Sequence, residues 1–232
     1  MAQTYEDWEL IIWDDGSTDA SVMIAQSWAA KDARIRFYSA AHQGFNSALR
    51  AGYALCRGYY LGSVDSDDLL APAALEETVD FLDKNPNYGL VYTDRFLIDS
   101  QGNNRGLDER CKIPYSRDKL LVDLMVFHFR LFRRPVFEAV GGISPDFETA
   151  EDYDFCLKVS EIAEIKHLQK PLYYYRIRTG QITQAKRPEV IRDSAKAINN
   201  ALLRRGLAES YYLEVTDQQV FRILRRQDKV AG

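Results

Sequence analysis

Cysteine is scarce in this chain of 232 residues: Cys56, Cys111 and Cys156 stand far apart, with no C-x-x-C pair. An odd, dispersed set argues against a disulfide framework and for reduced thiols in the cytosol. Histidine is as thin, since His42, His128 and His167 are scattered and none has zinc-site spacing. Long hydrophobic runs are missing too; Trp8 to Trp13 is far shorter than the ~20 residues that span a bilayer. The opening Met-Ala-Gln-Thr-Tyr-Glu-Asp has no apolar stretch, so no secretory leader is expected. A net charge of −4 gives no general attraction for nucleic acid. The glycine signatures G-x-x-x-x-G-K-[ST], G-x-G-x-x-G and G-x-S-x-G do not occur, which removes the P-loop, dinucleotide and nucleophile-elbow readings.

What is present is ordinary globular material, 46% hydrophobic and 28% charged. The charge is uneven. From Arg176 onward there are 12 Lys/Arg against 6 Asp/Glu, and before it 18 against 28. The basic end serves either as a solvated face or as a patch for phosphate or an anionic membrane surface. Along the N-terminal half, apolar runs alternate with helical patterns, as βαβ units do. Strands are expected at Trp8–Trp13, Ile35–Tyr38, Tyr59–Val64, Tyr88–Thr93 and Phe96–Ile98, with helices near 20–30, 46–56 and 72–84. Residues 101–117 read as a long loop, 118–127 as a helix, 130–133 as extended, and 135–140 and 151–161 as helices. Residues 172–178 read as a strand and 188–204 as a helix with a basic end. The expected architecture is α/β: a mostly parallel central sheet flanked by helices, with a small C-terminal extension.

Carboxylates gather where strands end. Asp14 and Asp15 follow the first strand; Asp65, Asp67 and Asp68 follow the third. In open parallel sheets, ligands bind outside the carboxyl ends of strands, so the two groups should face one crevice. Asp65-Ser66-Asp67 has too few oxygens for an all-protein calcium cage, and a hard divalent ion there needs water and substrate phosphates as well. On the triplet alone, capping of the following helix by Asp67 or Asp68 explains the residues as well. Asp152, in Glu151-Asp152-Tyr153-Asp154, shares a helix face with Phe155, Cys156 and Val159. An acid on the buried side of a helix start is either a cap or a working base.

Four segments read together resemble the family-2 inverting glycosyltransferases of the GT-A, nucleotide-diphospho-sugar transferase fold. They are QTYEDWELIIWDDGSTD (3–19), the stretch from His42 through RGYYLGSVDSDDLLAP (to 72), VGGISPDFETAEDYDF (140–155) and PLYYYRIRTGQIT (171–183). The resemblance covers residues 5–178. It implies a catalytic domain over 1–183, Rossmann-like, and a basic helical extension over 184–232. It places Asp14 at the nucleotide base with Asp15 supporting that loop, and Asp65 near the ribose and diphosphate. Asp67 becomes the metal ligand, Asp152 the catalytic base and Glu151 part of the acceptor side. Gly141 and Gly142 begin the loop that shapes the sugar pocket.

The implied reaction is metal-dependent, with Mg²⁺ or Mn²⁺. A nucleotide-sugar donor gives its sugar to a hydroxyl of a glycan or lipid-linked acceptor, at or near the cytoplasmic face of a membrane. A non-catalytic binding domain and a phosphoryl- or nucleotidyl-transfer enzyme are the alternatives. Two departures from the family pattern stand out. Arg178 occupies the place where the family often has His, and points to a phosphate contact. The resemblance also implies a strand and helix ahead of Gln3 with a further nucleotide-binding motif, so the chain reads as N-terminally shortened.

Overall fold

The computed structural model describes residues 2–178 and 186–226. The chain begins with β1 (Leu10–Asp15), α1 (Ser21–Ala29), β2 (Ile35–Ala40) and α2 (Phe45–Leu55). A helix between two strands lets them lie parallel, and β1 and β2 do, from Leu10 opposite Ile35 to Asp15 opposite Ala40. There follow β3 (Tyr60–Gly62), β4 (Leu69–Leu70), α3 (Ala74–Lys84), β5 (Tyr88–Ile98), β6 (Asn104–Leu107), β7 (Arg130–Arg133) and α4 (Arg134–Ala139). The remainder is α5 (Glu151–Ile162), β8 (Glu164–Arg176), α6 (Arg187–Arg204), β9 (Tyr211–Val215) and β10 (Phe221–Arg225).

The α/β class expected from the sequence is present, but the larger sheet is mixed rather than mostly parallel. Its order is β3-β7-β5-β8-β4, with β6 on β5. Only β5 and β8 run parallel there; β3 with β7, β5 with β7, β4 with β8 and β5 with β6 are antiparallel. The difference has a local cause. After β3, at one edge, the chain turns at 65–68 and reappears at the opposite edge as β4, antiparallel to β8, and β7 pairs antiparallel with β5 without a long helix between them. The β1–β2 pair is not hydrogen-bonded to this sheet among the described residues, and no strand lies between β1 and β3.

Side chains of β5 alternate between two cores, as a strand's period of two requires. Leu90 and Tyr92 join the cluster that holds Tyr53, Phe132, Phe155, Leu157 and Ile198. Val91 faces the other, with Leu82, Leu131 and Tyr173. The 118–127 segment, expected to be a helix, contains only a 3₁₀ turn at Lys119–Leu121. Leu120, Leu121, Met125, Val126 and Phe127 are all buried, so packing on every side replaces the one-faced stripe that a helix reading assumes. The expected break between Thr93 and Phe96 is absent and β5 runs through it. Residues 101–117 are not all loop, because Asn104–Leu107 adds a strand to β5. Past α6, β9 and β10 form an antiparallel hairpin that the helical reading of the C-terminal extension did not include.

Helix α6 is tied to the rest by its buried face, Asp193, Ser194, Ala197, Ile198, Ala201 and Leu202. Asp193 Oδ2 accepts from the amides of Glu148 (3.2 Å) and Thr149 (2.9 Å) and from the Thr149 hydroxyl (3.0 Å). These bonds hold the segment immediately before α5. Asp193→Ala is expected to strand those donors and to cost ~2–4 kcal/mol. At roughly 2–4 °C per kcal/mol for a chain of this size, the melting temperature should fall by about 5–15 °C. Asp193→Asn, which keeps an acceptor oxygen, should lose much less in the same melting experiment.

Candidate active site

Four segments converge on one acidic cluster: the turn after β3, the start of β7, the start of α5 and the end of β8. The turn 65–68 is pinned to β8. Tyr173 Oη lies 3.3 Å from the Asp65 amide, the Arg176 amide donates to Asp68 Oδ1 (2.7 Å), and Arg176 Nε donates to the Asp67 carbonyl (2.7 Å). Helix capping is thereby excluded for Asp67 and Asp68, since Leu69–Leu70 is strand and α3 begins only at Ala74 with no side-chain cap. Arg178, where the sequence pointed to phosphate, instead pairs with the Asp67 carboxylate, its Nε donating to Oδ2 at 2.9 Å. The TGQIT end of the fourth sequence segment lies outside the described residues.

The charges in this crevice are poorly balanced. Burial, and then the repulsion of Asp68, Asp67 and Asp152, push Asp65 up to about 6, with Arg130 opposing. Burial likewise raises Asp68, against the bonds from Arg176 and Tyr173, and among the described residues Asp68 Oδ2 is buried without a close hydrogen-bond partner. Burial and the neighbouring Asp152 push Glu151 up to about 7. Only Asp152 goes the other way. Burial alone would raise it, but the Arg130 charge and hydrogen bond outweigh burial and lower it. Arg130, whose role the sequence reading missed, donates to Asp152 Oδ2 at 2.8 Å. The signal was there: an arginine opening the apolar strand FRLF.

Asp152 is not a helix cap. The N-cap position of α5 is Ala150, held at φ 60, which has no side chain to cap that end. An alanine in this region is strained, and Glu151 and Asp152, which follow it, lie close enough to Asp65 to repel it. Gly141 and Gly142 lie upstream, both left-handed (φ 78 and 65). They end α4, the Gly142 amide donating to the Phe137 carbonyl at 2.8 Å, and they launch the 143–150 loop rather than entering the carboxylate cluster.

Asp14 and Asp15 make no hydrogen bond or ion pair to that cluster among the described residues. Asp14 accepts from the Ser39 hydroxyl (2.8 Å) and the Ser17 amide (3.3 Å), and bonds from Ser17 and Ser39 hold its carboxyl below the usual value. Asp15 accepts from the amides of Gln43 (2.8 Å) and Gly44 (2.9 Å) and meets His42. Gly16 (φ 83) must be glycine there, because a Cβ would sit 2.8 Å from the His42 amide nitrogen. A thread joins the two halves: Asn46, at the start of α2, donates to the carbonyls of Ser144 (3.0 Å) and Phe147 (2.8 Å) in the loop that leads to Glu151.

Carboxylates on the turn after β3 and at the start of α5 thus crowd around one buried arginine. A family model described as glycosyl transferase family 2 matches residues 1–141. The chain belongs to glycosyl transferase family 2. Membership places it among sugar-transferring enzymes. It is similar to the chondroitin synthase of Escherichia coli, 36% identical over 218 residues, covering 94% of this chain and 32% of that protein. It is also similar to the hyaluronan synthase of Pasteurella multocida, 32% identical over 222 residues, covering 94% of this chain and 22% of that protein. The chain thus spans a third or less of the length of these relatives. Among solved structures, S. aureus TarS (1–349) superposes with a TM-score of 0.66 at 20% identity, covering 86% of this chain and 59% of that one. A mannosyltransferase from Pyrobaculum calidifontis, in complex with GDP-Man and Mn²⁺, superposes with a TM-score of 0.63 at 15% identity, covering 87% of this chain and 57% of that one. These two likenesses establish the shared fold.

The raised Glu151 pKa has a sign that can be checked. A carboxyl whose folded pKa lies above its unfolded value weakens the fold as pH rises between the two, here from about 4.5 to about 7. Glu151→Gln removes that penalty. It is expected to stabilise this family-2 domain by up to about 3 kcal/mol at pH 8 and by almost nothing at pH 4.5. Melting temperatures of both proteins at the two pH values check it, and equal gains at both would contradict it.

Proposed function

We propose that the domain is a metal-dependent inverting glycosyltransferase. It would move a sugar from a nucleoside-diphosphate donor to a hydroxyl of a glycan or lipid-linked acceptor in surface polysaccharide or glycolipid synthesis. The observation that carries this reading is the crevice itself: Asp65, Asp67 and Asp68 crowded on one turn, opposite Asp152 held by Arg130. The similarity to a chondroitin synthase and a hyaluronan synthase supports the polysaccharide setting.

The donor set fits a divalent cation. No cluster of three or more His, Cys, Asp or Glu suited to a metal exists among the described residues, so a hard ion there would need phosphates and water to complete its shell. Asp67 would hold it, with Asp68 within the same turn. When bound, such an ion supplies Lewis-acid stabilisation of the leaving diphosphate. The remaining work belongs to the chain. Asp14, with its loop braced by Asp15, receives the nucleotide base, and Asp65 faces the ribose and diphosphate. Arg178, released from Asp67, neutralises phosphate. Glu151 and the loop from Gly141-Gly142 bound the acceptor side. Asp152 accepts the hydroxyl proton as the acceptor attacks the anomeric carbon opposite the leaving group, which inverts that centre without a covalent intermediate.

The stereochemical part is tested by proton NMR of the linkage formed from an α-linked donor. A β-linked product is expected, and an α-linked one overturns inversion. A cytoplasmic location at the inner face of a membrane is part of the same proposal. No helix among the described residues is long and apolar enough to cross a bilayer. Peripheral contact would rest on the basic C-terminus, where Arg225 lies over Tyr211 and Arg226 donates to the Ala208 carbonyl. Arg222 completes the described set, and Lys229 lies outside the described residues. Each basic residue near an anionic surface contributes roughly 1 kcal/mol, so flotation with anionic liposomes is expected at low salt and lost at high salt. No flotation at low salt removes the membrane contact.

A further inference from the structure

Arg130 opens β7, a strand whose next residues, Leu131 and Phe132, fill the two faces of the core. A guanidinium at that place is costly unless it is paired and hydrogen-bonded. Its side chain is 8% exposed, while its partner Asp152 is 31% exposed. Arg130 Nη2 donates to Asp152 Oδ2 at 2.8 Å and lies 3.2 Å from His128 Nε2. Nη1 lies 3.7 Å from Cys156 Sγ. His128 is itself stacked on Tyr173, with ring centroids 5.7 Å apart. The uncharged neighbours His128 and Cys156 are held among buried residues, and the charged partner Asp152 is the more exposed of the pair.

We infer that Arg130 is a positioning residue that fixes the Asp152 carboxylate through one oxygen and leaves the carboxylate open to the acceptor hydroxyl. The inference rests on Asp152 being the base of the proposed reaction. The groups facing Asp152 are Arg130 and His128 from β7 and the residue run before it, Glu151 and Cys156 from α5, and Asp65 from the turn after β3. Burial and the Arg130 charge push the His128 imidazole down to about 3, so it is neutral at working pH. Burial pushes the Cys156 thiol up to about 12, so it carries no charge. Arg130 is thus the one cation of this group, set against two further acids. Arginine stays charged at every working pH and presents a rigid fork, so its hold on Asp152 does not loosen as pH changes; lysine would supply the charge without the fork.

The test compares wild type, Arg130→Lys and Arg130→Met. It follows kcat and donor KM from pH 5 to 9 and the ¹³C carboxylate titration of Asp152, assigned with Asp152→Asn. In Arg130→Met the acidic limb of kcat and the Asp152 titration are expected to move up together by about one to two pH units, with donor KM unchanged. Arg130→Lys should keep the limb near its wild-type place but lose roughly tenfold or more in kcat, because the carboxylate is no longer held at a fixed point. A fall in kcat with the limb and the titration unmoved in Arg130→Met overturns the inference, since filling the core alone produces that pattern. Should Arg130→Met not fold, wild type decides: an Asp152 that titrates at the ordinary Asp value, about 3.8, overturns it. If wild type transfers no sugar, the functional reading fails, and the carboxylate titration still reports whether Arg130 governs Asp152.

Discussion

Asp152→Asn is expected to lower sugar transfer by about 10²–10⁴-fold while donor binding stays at the wild-type level. The substitution is nearly isosteric and keeps an oxygen that can accept from Arg130, so the buried guanidinium retains a partner. What it removes is basicity. An amide cannot take the acceptor's proton, and an acceptor hydroxyl that keeps its proton is a poor nucleophile. The donor does not depend on this carboxylate, because the groups proposed to hold nucleotide and diphosphate, Asp14, Asp65 and Asp67, lie on other segments. Steady-state rates with a saturating donor, alongside calorimetric titration of the nucleoside diphosphate, separate the two effects. Wild-type transfer by the Asn variant would show that Asp152 only anchors Arg130.

Asp67→Ala should cost about 10²–10³-fold in turnover and remove the Mn²⁺ dependence of nucleotide binding. The residue is poorly placed to serve the fold. Its side chain is 26% exposed and its side-chain partner among the described residues, Arg178, is itself half exposed. The turn around it is held by other atoms, the Asp67 carbonyl and Asp68 Oδ1, both accepting from Arg176. Melting temperature should therefore change little while titration of nucleoside diphosphate with and without Mn²⁺ changes much. Full activity of wild type in excess EDTA would sink this assignment of Asp67.

The parts of the site that were legible in the sequence are local ones. DSDD after a β run and ED before an amphipathic run each announce their place within a few residues, and the structure puts Asp65, Asp67, Glu151 and Asp152 at one crevice. Arg130 was not legible in the same way, since its meaning comes from a contact 22 residues away. The bracing of the 65–68 turn by Tyr173 and Arg176 spans 108 residues. Loop 144–149 is held from two sides, by Asn46 and Asp193, each an ordinary polar residue on a helix until its partners are known. The pairing directions of the sheet were misread for a related reason. The alternation of strands and helices describes β1-α1-β2 correctly, but nothing in a two-residue strand such as Leu69–Leu70 reveals that it runs antiparallel to β8. The β9–β10 hairpin escaped because its connection, residues 216–220, contains no Asn-Gly or Asp-Gly signal, the turn being made with Gln219 at φ 62.

The central claim is that this crevice takes a nucleotide sugar and breaks its bond to the diphosphate. Its most direct test is release of nucleoside diphosphate by the purified chain from a panel of nucleotide sugars with Mn²⁺, with EDTA and Asp152→Asn as controls. Release from at least one donor, abolished by EDTA and strongly reduced in the Asn variant, is the result expected. No release from any donor with Mn²⁺ present, or release that neither EDTA nor the substitution affects, would contradict the claim.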